Sequence, residues 1–96
     1  MDDRLYLSDL YDYYGVLLTE KQQLYFEDYY FNNFSLAEIS DNYEVSRNAI
    51  HKQLRDVELK LKVFEDKLKL YDKSIKIKVL IENIDNNIKE QIKELI

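Results

Sequence analysis

The chain has 96 residues, 46% of them hydrophobic, with 14 Lys and Arg against 19 Asp and Glu and a formal net charge of −5. That is enough apolar material for one domain spanning 1–96 and too little for two independent cores. The absence of Cys and Pro, with a single Gly and a single His, excludes a disulfide framework, thiolate catalysis, Cys-type zinc sites and Gly-rich phosphate loops.

The first helix is expected from about Asp2 to Tyr14. Tyr6, Leu10, Tyr13 and Leu17 recur at helical spacing, and Asp2 and Asp3 suit the positive end of the helix dipole. Gly15 is placed to end it through a left-handed conformation. Thr19-Glu20-Lys21-Gln22 reads as a capping box and opens a second helix to about Phe31, stopped by Asn32-Asn33. Ser35-Leu36-Ala37-Glu38 is a second capping box, opening a short third helix with Leu36, Ile39 and Tyr43 inward. Ser46 caps a long fourth helix, whose Ile50, Leu54, Val57, Leu61, Phe64, Leu68 and Tyr71 alternate spacings of four and three. A break is expected near Tyr71-Asp72-Lys73-Ser74. A fifth helix then carries Ile77, Ile81, Ile84, Ile88, Ile92 and Leu95, one helix continuous through both stripes being the alternative.

The predicted fold class is all-α: a helix-turn-helix at about 35–56, preceded by N-terminal helices and followed by a long helical extension over about 57–96. In the helix-turn-helix, Ile39 and Val45 pack on Ile50 and Leu54, which sets the crossing of the third and fourth helices. The opening turns of the fourth helix then present Arg47, Asn48, His51, Lys52 and Arg55. Arg pairs with guanine and Asn with adenine in a major groove, and Lys suits phosphate. These five are the candidate DNA-binding residues. From the residues alone a solvated helix face is the better reading, and a net charge of −5 opposes non-specific DNA affinity.

Phe34-Ser35-Leu36-Ala37-Glu38-Ile39-Ser40 through Val45-Ser46-Arg47-Asn48-Ala49-Ile50 resembles the helix-turn-helix of sigma-factor region four. With Leu17-Leu18-Thr19-Glu20-Lys21-Gln22-Gln23, Tyr29-Tyr30 and Phe64-Glu65-Asp66-Lys67-Leu68, the chain is similar over about residues 5–75 to the YlxM-like helix-turn-helix proteins of bacteria. The resemblance implies an all-helical fold. It also implies a regulatory role in the signal recognition particle pathway, because the family's gene usually lies beside that of the particle's GTPase. One departure is Glu44, which stands in the turn where many such sequences have Gly.

Residues 1–34 carry two basic and seven acidic groups, residues 35–56 three and four, and residues 57–96 nine and eight. Asp9, Asp12, Glu27 and Asp28 read as a solvated acidic face, since no Gly loop, His partner or ligand spacing accompanies them. No catalytic constellation, metal ligand set or cofactor motif is found, so the expectation is a non-enzyme without cofactor. Tyr6, Tyr11, Tyr13, Tyr14, Tyr25, Tyr29 and Tyr30 suit a core or protein interface better than a base-stacking platform.

The two heptad stripes either pack within one chain or form a homodimer seam, and the dimer is favoured. Met1-Asp2-Asp3-Arg4 lacks the basic and apolar regions of a signal peptide, and no apolar run reaches the ~18–20 residues of a membrane span. A cytoplasmic protein without membrane insertion is expected. Its expected partners are duplex DNA and, in the alternative reading, the protein or RNA of the signal recognition particle.

Overall fold

A computed structural model describes residues 3–96. The expected start of the first helix at Asp2 lies outside them. Six α-helices follow in order: α1 (Asp3–Tyr14), α2 (Glu20–Phe26), α3 (Leu36–Tyr43), α4 (Arg47–Leu68), α5 (Leu70–Leu80) and α6 (Asn86–Lys93). No strand occurs among the described residues, so the fold is all-α. No helix among them is long and apolar enough to cross a membrane.

Local chemistry sets the starts of the helices. Thr19 and Gln22 form the reciprocal cap at α2, and Ser35 and Glu38 do the same at α3. The Ser46 hydroxyl accepts from the Ala49 N–H at 3.0 Å to open α4. The stops are less regular. A 3-10 turn, Gly15–Leu17, links α1 to α2, and Gly15 does not take the left-handed conformation expected of it. A close approach requires this glycine instead, because a Cβ there would lie 2.9 Å from the Tyr11 ring. The second helix reaches Phe31 as expected, but only α2 is regular. Glu27–Phe31 is a π-helical turn in which the Asn32 N–H donates to the Glu27 carbonyl at 2.9 Å.

Helix α4 runs beneath everything N-terminal to it and joins two cores. Leu7, Leu10 and Tyr14 of α1 meet Leu18, Phe26, Val57 and Leu61 in the first. Tyr25, Ile39, Ile50 and Leu54 form the second. The buried face of α1 is therefore Leu7, Leu10 and Tyr14 rather than the expected Tyr6, Leu10, Tyr13 and Leu17, and Leu17 is exposed in the 3-10 turn. Leu24 and Phe31 also lie largely outside the cores.

The stripe on α4 is buried within the chain from Ile50 to Leu61, and Leu68 is exposed. The break falls at Lys69, which is left-handed with φ 55°, two residues before the expected point. The tail is two helices rather than one, because Asp85 caps α6 by accepting from the Asn87 and Ile88 N–H groups.

The corner between α4 and α5 is held by one buried carboxylate. Glu65 accepts from the Tyr14 hydroxyl at 2.6 Å and from the backbone N–H groups of Tyr71 and Asp72 at 3.1 and 3.0 Å. Tyr14 in turn accepts from the Leu70 N–H at 3.0 Å. Three otherwise unpaired donors of the first turn of α5 are thus satisfied by side chains.

Candidate nucleic-acid interface

The turn between α3 and α4 is built by its backbone. Glu44 is left-handed, with φ 56° and ψ 42°. Its N–H donates to the Ser40 carbonyl, and the Val45 N–H donates to the same oxygen at 3.2 Å. The Ser40 hydroxyl donates to the Val45 carbonyl. The Val45 bond is the 6→1 bond of a Schellman turn and the Glu44 bond the 5→1 bond of a left-handed cap, with the residue after the left-handed one turned into the apolar cluster. Val45 packs there beside Ile39 and Ile50. Tyr43 closes the other side, edge-on to Tyr25 at 5.0 Å and donating to Asp28 at 3.0 Å. The Ser35 N–H donates to the Glu38 carboxylate and lowers its pKa from the ordinary value, so the cap keeps its charge at neutral pH.

With α3 and α4 fixed in this way, Arg47, Asn48, His51, Lys52 and Arg55 are all exposed. At 3.6 residues per turn the five span an arc of roughly 140° on one side of α4. None of the five side chains takes part in an ion pair or hydrogen bond with another described residue. By contrast, Asp56, one position beyond Arg55, is engaged by Gln22 at 2.8 Å and Lys60 at 3.3 Å.

The sequence reading does not place Tyr29 and Tyr30 at this surface. They line a groove with Leu36, His51, Leu54, Arg55 and Glu58 at the foot of the candidate face. Arg4 lies over both rings, 5.1 and 4.9 Å from their centroids, and donates to the Tyr29 carbonyl at 2.6 Å. Their position depends on the π-helical turn, for which the sequence carries no marker.

The acidic residues of the N-terminal helices are not a plain solvated face. Asp9 accepts from Tyr71 at 3.2 Å, Glu27 from Tyr11 at 2.5 Å and Asp28 from Tyr43. Of the four, only Asp12 is exposed in the expected way. No group of His, Cys, Asp and Glu that could hold a metal ion occurs among the described residues.

A family model described as "Putative helix-turn-helix protein, YlxM / p13 like" (UPF0122) matches residues 1–96. A UPF0122 protein of Thermoanaerobacter sp. (strain X514) is 41% identical over 87 residues, which cover 91% of this chain and 74% of the relative. Its counterpart in Malacoplasma penetrans (strain HF-2) is 43% identical over 89 residues, or 92% of this chain and 83% of the relative. The one in Shouchella clausii (strain KSM-K16) is 44% identical over 73 residues, covering 76% and 67%. On this similarity, and with the helix-turn-helix geometry in place, the chain belongs to the UPF0122 family of YlxM / p13-like helix-turn-helix proteins.

Proposed function

We propose that the exposed face at the start of α4 reads duplex DNA, in a regulatory role tied to the signal recognition particle pathway. The observation that carries this is five side chains, two Arg, one Lys, one Asn and one His, exposed together without partners on the second helix of a helix-turn-helix. Residues in the first turns of such a helix reach base edges, and cations further along meet phosphate. Arg47 and Asn48 are assigned to bases, Lys52 and Arg55 to the backbone, and His51 to the groove floor. The link to the particle rests on the family resemblance.

With only three fixed cations on the face, the electrostatic part of binding is small. At about 0.9 per neutralised phosphate, the log–log salt slope of one chain should be no steeper than about −3. A selection from randomised duplex DNA at low and near-physiological salt tests the reading. We expect one motif to persist at the higher salt and to be lost in the Arg47→Glu, Lys52→Glu double variant, which should keep its helicity.

A second reading is favoured by the net charge of −5 and by exposed Glu44 and Asp41 beside the face. In it, the helix-turn-helix is a scaffold that binds the protein or RNA of the signal recognition particle and no DNA. Absence of enrichment at both salts would sink the DNA reading in favour of this one.

A further inference from the structure

The C-terminal arm lies outside both cores. No residue beyond Tyr71 enters either cluster, although α5 and α6 account for 19 residues, 11 and 8. Ile81, between the two helices, is buried and Ile77 and Ile92 are half-buried, but other apolar side chains of the arm are open. Val79 is 63% exposed, Ile88 52% and Leu95 84%, with Ile75 one turn from Val79 and Ile84 just ahead of α6. An isolated eight-residue helix is marginal in water and gains its stability from an apolar face that is packed. Ile88 and Ile92, one turn apart on α6, form such a face, and Leu95 follows just beyond the helix end.

We propose that this arm is a self-association surface, and that its occupant is the arm of a second copy of the chain. Area is the first argument. The chain exposes 6904 Å², where a compact monomer of its mass exposes about 5900 Å². The excess, about 1000 Å², is close to the roughly 800 Å² per partner that a standard stable interface buries. Shape agrees, since the radius of gyration is 16.3 Å and the extents are 52 × 25 × 25 Å, against about 12–13 Å for a compact chain of this length.

Charge selects the partner. Residues 70–96 carry five basic and five acidic groups, so two arms meet without net repulsion, whereas residues 1–34 carry two and seven and repel their own copy. A helix pair meeting its two-fold mate also gives a four-helix arrangement with a closed, isologous interface. The proposal concerns the exposed apolar side chains of the arm alone, because the stripe on α4 is buried within the chain from Ile50 to Leu61, and it does not depend on DNA binding.

Sedimentation equilibrium of the full chain from about 1 to 100 μM is the test. Wild type is expected at twice 11.7 kDa, and the Val79→Glu, Ile88→Glu variant at one chain mass with unchanged far-UV helicity. Leu59→Glu, on the exposed side of α4, should leave the dimer intact. Because the chain has no Cys, a single Ile88→Cys should cross-link under copper–phenanthroline oxidation, and Val16→Cys should not. This second measurement holds even if the double variant fails to fold. A single-chain mass for wild type over that range would overturn the proposal and leave the arm to another occupant, such as an amphipathic helix of a different protein. A dimer broken by Leu59→Glu, or cross-linked through Val16→Cys and not Ile88→Cys, would overturn it as well.

Discussion

Tyr11, Tyr14, Tyr43 and Tyr71 each donate a hydroxyl hydrogen bond to a carboxylate on another helix or turn, namely Glu27, Glu65, Asp28 and Asp9. Burial, reinforced by these bonds, raises all four pKa values above the ordinary 10.0, and Tyr14 is pushed up to about 12. A raised folded-state pKa stabilises the fold fully below the unfolded value and loses that contribution as pH rises. Stability should therefore hold to about pH 10 and fall steeply between 10 and 12, which denaturant midpoints measured along that range would reveal. Tyr14→Phe should cost about 1–3 kcal/mol at neutral pH by chemical denaturation, because it strips the buried Glu65 of one donor, and should flatten part of the alkaline fall. The tyrosines and carboxylates are visible in the sequence, but their pairing is not. The four pairs are 15 to 62 residues apart, and no local pattern connects such positions.

Elements are the scale at which the sequence is most informative, because helix starts are written in short-range chemistry. Thr19, Ser35 and Ser46 cap as their neighbours require, and the spacing of Ile50, Leu54, Val57 and Leu61 marks a buried stripe that exists. Stops are harder to read here, because the chain makes its left-handed corners without glycine. Asn33, Glu44 and Lys69 have φ of 57°, 56° and 55°. The last of these ends α4 where the sequence offers no Gly or Pro, and the corner is held by the nearby Glu65 together with Tyr14 from the far end of α1. A non-glycine residue in this region costs about 1–2 kcal/mol, offset in a Gly substitution by some lost chain entropy. Glu44→Gly should therefore raise stability by about 0.5–1 kcal/mol in urea unfolding, with helicity unchanged. That Arg47, Asn48, His51, Lys52 and Arg55 share one exposed face of α4 is legible for the same short-range reason, since it follows from the helix period alone. The Tyr29 and Tyr30 groove was not, because the π-helical turn that positions it leaves no compositional trace.

For the whole molecule, the division into two cores carries a consequence for how the chain reaches its native state. The second core is assembled from Tyr25 to Leu54, a span of consecutive elements, whereas the first requires α1 to return to Val57 and Leu61. Closing the longer loop costs more entropy before any contact rewards it. The helix-turn-helix core should thus form in the transition state, and α1 should dock afterwards. Stopped-flow chevrons would show it: Ile39→Val should chiefly slow refolding, and Leu10→Ala should chiefly accelerate unfolding. With no proline in the sequence, no slow isomerisation phase should blur either limb. The same order means that a nascent chain carries a shaped α3–α4 pair before its N-terminal helix is locked, so the surface assigned to recognition is the part of the molecule that matures first.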